Sequence, residues 1–216
     1  MPAASPSTLN PRNTEHIEAL AAQGVHRHYR RGALLIQEGD VGDTLYIVLK
    51  GRLRAYVADA TGKELTLGVY GPLEYVGEMS LDGGPRSANV EATDTTTCAV
   101  ITRERLLAYI AEHPEFALEL MARLIRRARL ATESARSVAL IDVYGRLVKL
   151  LNDWARESNE AGERPLREKV THQQIAQHLA CSREMVSRLL KDLETGGFIE
   201  VRERWIWLVK PLPARW

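Results

Sequence analysis

The chain has 216 residues, 45% hydrophobic and 26% charged, with a net charge of +1. Its length suits one large domain or two modest ones, and its composition is that of an ordinary soluble globular protein. No apolar run approaches the ~20 residues a membrane helix needs, and a charge so near zero argues against a wholesale polyelectrolyte binder.

In chain order, MPAASPSTLNPRN lacks the basic start and apolar centre of a secretory signal. Residues 1–13 are expected to form a short disordered tail. TEHIEALAAQG (14–24) then predicts a short helix, with Thr14 as N-cap and Gly24 as its stop. Ten of the 15 glycines fall between Gly32 and Gly84, punctuating strand-like runs such as LYIVL (45–49) and LRAYVA (53–58). Turn signals sit at EGDVGD (38–43), ATGK (60–63) and YGPLEYVG (70–77). Many short strands at this spacing predict an antiparallel sandwich or barrel over residues 14–113.

Within that region, GEMSLDGGPRSAN (77–89) combines opposite demands. Its glycines let backbone N–H groups approach an anion, and Arg86 with Ser87 suits a phosphate. Glu78 would repel the same phosphate, but an acceptor-only carboxylate suits a hydroxyl donor. A ligand with an anionic end and a hydroxylated end reconciles them. The alternative is a Glu78–Arg86 ion pair closing a surface turn.

From Pro114 the period changes. Ala117, Met121, Leu124, Ala128, Ala131, Ala135 and Val138 form a heptad seam, with Leu118, Leu120, Ile125 and Leu130 adding a second apolar surface. A helix over 114–141 with two apolar surfaces needs two partners, which predicts a parallel homodimer. The alternative is a helix enclosed within one chain.

The last third, 142–216, is mildly basic. From Val143 onward 13 Lys/Arg face 10 Asp/Glu, a balance of +3, against 16 and 18, or −2, in the remainder. Thr171 and Gln174 form a capping box for one short helix. Ser182 caps a second, which Gly196-Gly197 ends. FIEV (198–201) and WIWLV (205–209) follow as strands joined by the turn RER. Helix, tight turn, helix and hairpin is the winged helix-turn-helix order. On the second helix Arg183, Glu184, Ser187, Arg188 and Lys191 share one polar face. Arginine can pair with guanine and a carboxylate can accept from cytosine, so this face suits double-stranded DNA; a solvated face of charge pairs is the alternative. Thr171, Gln173 and Ser182 lie at helix starts, where phosphate oxygens are bound.

Other chemistry is poorly provided for. Cys98 and Cys181 are far apart, which suits a reducing cytoplasm and makes no thiolate-rich metal site. Only His26 and His28 lie close among the six histidines, and they read as a solvated strand edge, so no metal is expected. There is no G-x-S-x-G, Walker loop or HExxH, so an enzyme is the weakest reading. A sensor with a protein output remains an alternative.

CSREMVSRLLKDLE (181–194) closely resembles the recognition helix of the Crp/Fnr transcription regulators, and IDVYGRLVKLL (141–151) their hinge and the first helix of their DNA domain. GEMSLDGGPRSA resembles their cyclic-nucleotide phosphate cassette, and the likeness spans about residues 25 to 210. It implies an α+β chain: an N-terminal antiparallel β jelly-roll, a long dimerisation helix and a C-terminal winged helix-turn-helix domain. By position, Arg183, Glu184 and Arg188 would read a TGTGA-type half-site, with Thr171, Gln173 and Ser182 on phosphates. Arg86 and Ser87 would meet a cyclic phosphate, Gly77 would lie beside the sugar, and Glu78 would take its 2′-hydroxyl; Met79, Arg127 and Thr132 complete the implied set. Cyclic AMP is the ligand implied first. Ala131 and Thr132 stand where the enteric cAMP-responsive relative has Thr and Ser against adenine, so a cyclic dinucleotide, or no ligand, stays open. The stretch from Glu78 to Arg86 is also shorter than in that relative. His26, His28 and Arg105 roughly match a basic patch offered to RNA polymerase.

Overall fold

The computed structural model describes residues 11–159 and 162–213, with backbone alone at 11–13, 134 and 137–140. The expected tail over 1–10 lies outside the described residues. Residues 11–13 are helical: α1 (Pro11–Ala22) begins ahead of Thr14, because the fixed φ of Pro11 suits a first helical turn. Thr14 is therefore inside the helix rather than its cap. Gly24 does follow the helix, and its lack of a side chain is used for packing, since a Cβ there would stand 2.5 Å from Ile101 Cδ1.

Eight strands follow: β1 (Val25–Tyr29), β2 (Leu34–Ile36), β3 (Leu45–Lys50), β4 (Leu53–Ala58), β5 (Glu64–Tyr70), β6 (Tyr75–Val76), β7 (Asn89–Ala92) and β8 (Thr96–Ile101). They form two four-stranded sheets, ordered β1-β8-β3-β6 and β2-β7-β4-β5. The pairings β1–β8, β3–β8, β3–β6, β2–β7 and β4–β7 are antiparallel, as a jelly-roll requires. Successive residues of β3 point to opposite faces. Val48 packs with Leu53, Val76, Val90 and Cys98 in one core, while Leu45 and Ile47 join Ile17, Leu20, Ile101, Leu106 and Phe116 in another. Part of the expected turn 70–77 is strand instead, because Tyr75 and Val76 find ladder partners in Ile47 and Tyr46.

Before Pro114 the structure adds a helix with no counterpart in the sequence reading. α2 (Arg103–Glu112) is capped by Thr102, whose side chain accepts from the Arg105 N–H, and it buries Leu106 and Tyr109. α3 (Pro114–Leu140) follows. Phe116 is buried and Leu120 packs beside it, but Leu118 (65%), Met121 (49%) and Ile125 (52%) are exposed.

The C-terminal unit has its own core. α4 (Val143–Trp154) is capped by Asp142, which accepts from the Gly145 N–H at 2.7 Å. β9 (Arg164–Pro165), α5 (His172–Leu179), α6 (Arg183–Thr195), β10 (Ile199–Arg202) and β11 (Trp205–Leu208) complete it, with the sheet ordered β10-β11-β9. Leu147, Leu151, Leu166, Ile175, Val186, Leu193 and Ile206 fill the interior. β9 is unforeseen; a proline reads as a strand breaker, and Pro165 is tolerated because β9 is an edge strand. The wing turn is Glu203-Arg204, both at positive φ (49° and 68°), so Arg202 belongs to the strand rather than to the turn.

Candidate ligand cassette and nucleic-acid interface

The stretch 77–89 folds around Arg86. Its backbone is held by the loop at 39–40, with the Arg86 N–H donating to Asp40 O at 2.8 Å and Arg86 O accepting from the Gly39 N–H at 2.8 Å. The residue is only 7% exposed. Nη1 donates to Gly77 O at 2.9 Å and Ser80 Oγ at 2.8 Å, and Nη2 donates to Thr44 Oγ1 at 3.0 Å. A guanidinium has five N–H groups, so among the described residues Nε–H and one Nη2–H have no acceptor, both on one edge of the fork. Gly42 lies against that edge: a Cβ there would stand 2.9 Å from Nη2 and 3.0 Å from Nε. Gly77 is needed twice over, for its φ of 95° and because a Cβ would stand 2.6 Å from Thr44 O.

Glu78 opens a single 3₁₀ turn, Glu78–Ser80, and is also 7% exposed. It does not pair with Arg86. One oxygen is ion-paired with Arg127 of α3, whose Nη2 also donates to Tyr75 O at 2.6 Å. The Arg127 guanidinium lies over the rings of Tyr70 (4.8 Å) and Tyr75 (5.3 Å). Burial alone would lower its pKa, but Glu78 and the two tyrosines more than offset this and leave it raised. The Tyr75 phenol is pushed up to about 12, chiefly by burial. The other oxygen of Glu78, Oε2, is shielded from solvent and has no hydrogen-bond partner among the described residues.

Gly77, Glu78, Arg86 and Arg127 thus come together in one cluster. Ser87 is exposed beside it, and Met79, 55% exposed between buried Glu78 and Ser80, faces solvent. Thr132 and Ala131 are exposed on α3, C-terminal to Arg127. Both thiols are held protonated: burial pushes Cys98 up to about 12 and raises Cys181 as well.

In the C-terminal unit the capping box is complete. Thr171 Oγ1 accepts from the Gln174 N–H at 3.2 Å, and Gln174 Oε1 accepts from the Thr171 N–H at 2.8 Å. Ser182 Oγ accepts from the Met185 N–H at 3.2 Å. Between the helices Ala180 turns the chain at φ 50°. Arg183, Glu184, Arg188 and Lys191 are exposed along α6, with Thr171 and Gln173 exposed at the start of α5. Ser187 differs: it is half-buried, and its Oγ lies 2.8 Å from His172 Nδ1, joining the two helices.

Residues 26–113 match the model of the cyclic nucleotide-binding domain, and residues 145–211 that of the Crp-like helix-turn-helix domain. The chain is 32% identical over 186 residues to the cAMP-activated global transcriptional regulator CRP of Escherichia coli, a match covering 84% of this chain and 88% of that one. The chain belongs to the Crp/Fnr family. A further family member, the CRP-like cAMP-activated global transcriptional regulator of Mycobacterium tuberculosis, is 31% identical over 188 residues, 86% of this chain and 84% of that one. The c-di-GMP responsive global regulator CLP of Xanthomonas campestris superposes with a TM-score of 0.80 at 28% identity, covering 91% and 99% of the two chains. The protein is a DNA-binding transcription regulator with a cyclic-nucleotide-binding domain, in a family of regulators rather than enzymes. No helix of the described residues is long and apolar enough to cross a membrane.

Sequence reasoning also missed a cluster of side chains. His16 of α1 and the segment His113–Glu115 meet where α2 ends and α3 begins. The H-x-E spacing at 113–115 was visible, but the partner histidine lies on the far side of the whole β domain in sequence.

Proposed function

We propose that the chain acts in the cytoplasm as a homodimeric regulator whose DNA binding is switched by a cyclic nucleotide, with cyclic AMP as the leading ligand. The observation that carries this is Glu78 Oε2, a buried acceptor with no donor among the described residues. Leaving such a group unpaired costs about 1–3 kcal/mol, and a ribose 2′-hydroxyl supplies the missing donor. The open Nε/Nη2 edge of Arg86 suits the cyclic phosphate, with Ser87 beside it. Thr132 would reach the base from the partner subunit. Support for the dimer comes from the exposed apolar residues of α3, including Met121 and Leu124 of the heptad seam.

A hydroxyl on the second Glu78 oxygen would sit beside the Glu78–Arg127 pair and bear on it. Because Arg127 belongs to α3, the nucleotide would thereby favour one arrangement of the two long helices. That arrangement would set the hinge at Asp142 and present both α6 helices to half-sites about one helical turn apart. Arg183, Glu184 and Arg188 would read a TGTGA-type half-site, with Lys191 and the caps Thr171, Gln173 and Ser182 on phosphates. The exposed residues His26, His28 and Arg105 would meet RNA polymerase; Arg105→Ala should then lose transcription activation while retaining DNA binding.

A second reading takes cyclic di-GMP as the ligand. Ala131 offers adenine no hydrogen bond, and CLP is described as c-di-GMP responsive. Calorimetric titration with cyclic AMP, cyclic GMP and cyclic di-GMP, with and without a palindromic TGTGA duplex, separates the two. Cyclic AMP should bind, and Arg86→Gln should abolish that binding. If only cyclic di-GMP gives heat, the second reading replaces the first. No heat with any of the three leaves a DNA-binding regulator without a nucleotide switch.

A further inference from the structure

His16, His113 and Glu115 converge where three helices meet. His16 Nε2 lies 3.5 Å from Glu115 Oε1, and His113 Nδ1 lies 3.7 Å from the same oxygen. One ligand atom from each of the three residues lies within 4.8 Å of the other two. Both nitrogen–oxygen separations exceed the 2.7–3.2 Å of an N–H···O hydrogen bond. They are close to the edge of a tetrahedron around an ion with bonds of about 2.1 Å, which is about 3.4 Å.

The surroundings match what such an ion requires. A metal-binding histidine hands its other ring nitrogen to an oxygen acceptor, which fixes the tautomer. His16 Nδ1 lies 3.0 Å from Tyr109 Oη, and with Nδ1–H donating there, the Nε2 lone pair points into the cluster. The His16 ring is further held by Phe116 and Tyr109, at centroid distances of 5.7 and 6.0 Å. Glu119 lies one turn along α3 from Glu115. Its carboxyl pKa is raised, chiefly by burial, with nearby His16 opposing the shift. Its Oε2 is shielded from solvent and has no hydrogen-bond partner among the described residues. A water on the ion's fourth position would donate to it.

We propose that His16, His113 and Glu115 bind a divalent metal ion of the zinc class, with water in the fourth position hydrogen-bonded to Glu119. Two imidazoles and a carboxylate, without thiolate, favour such a borderline ion over magnesium or calcium, which take mainly oxygen ligands. The ion would fasten α1 to the start of α3.

The test uses the full chain without a histidine tag, stripped of metal and titrated with Co²⁺. Saturation at one equivalent per chain is expected, with the visible bands of a four- or five-coordinate ion, displaced by Zn²⁺. His113→Gln and Glu115→Gln alter solvent-accessible side chains, so folding is expected to survive and is checked by circular dichroism; each should weaken Co²⁺ binding at least tenfold. Tyr109→Phe removes only the group that orients His16 and should weaken binding about tenfold. The double variant H26Q/H28Q should bind as the parent does. An absence of saturable binding would mean a cluster of His–Glu ion pairs only and overturns the proposal. So does unchanged affinity in both His113→Gln and Glu115→Gln, or loss of binding in H26Q/H28Q.

Discussion

The two candidate regions use charge in opposite ways. In the cassette Glu78 and Arg86 are each 7% exposed, and every charged group there leans on another protein group. On α6 Arg183, Glu184 and Lys191 are exposed and have no hydrogen-bond or ion-pair partner among the described residues. The first arrangement makes stability depend on each charge. The second leaves stability indifferent and the charges open to solvent.

The largest expected effect therefore falls in the cassette. Removing one partner of a buried ion pair costs about 3–5 kcal/mol, because the other charge is left unpaired. Glu78 has a side chain 4% exposed and Arg127 one 26% exposed, which puts Arg127→Met near the low end. Urea unfolding should register a loss of about 3 kcal/mol, and adding Glu78→Gln should restore much of it. An undiminished midpoint in Arg127→Met would place the cassette in the same class as α6.

Arg183→Ala and Glu184→Ala should do the reverse. Each leaves the unfolding midpoint unchanged and costs about 1–3 kcal/mol of discrimination at one base position. Selection from a randomised half-site measures this; a preserved base preference would remove these residues from direct readout. Gly42→Ala probes the cassette without touching its charges. Its Cβ would crowd the uncommitted edge of Arg86 and should weaken cyclic-nucleotide binding about tenfold, or about 1.4 kcal/mol, as read by calorimetry.

This contrast was only half legible in the sequence. The Thr171/Gln174 box and the Ser182 cap join residues within one helical turn, so the sequence alone places them, and the outward face of α6 follows from its leucine spacing. The Glu78–Arg127 pair, the α2 helix and the His16–His113–Glu115 cluster depend on chain segments that only the jelly-roll brings together. No periodicity records such contacts. Sequence logic thus paired Glu78 with a sugar or with Arg86, while the fold assigns one of its oxygens to α3 and leaves the other without a donor.

Ser187 crosses the boundary between the two modes. It shares the polar face of α6, yet its hydroxyl is bonded to His172. Ser187→Ala should lower stability by about 1 kcal/mol and leave base preference unaltered. A changed preference with an unchanged unfolding midpoint would return it to the DNA-reading set.

The smallest effect concerns backbone alone. Ala180 sits at φ 50° in the turn between α5 and α6. The left-handed region costs a residue with a Cβ roughly 1–2 kcal/mol, and glycine avoids that cost. Glycine also gives the unfolded chain more freedom, which removes about 0.4–1 kcal/mol of the gain. The first effect is the larger, so Ala180→Gly should stabilise the C-terminal unit by about 0.5–1 kcal/mol. Thermal unfolding of the full chain measures the shift. A destabilised variant would mean that the Ala180 methyl contributes packing worth more than its strain, and that side-chain contacts, rather than caps and turn geometry alone, orient the exposed charges of α6.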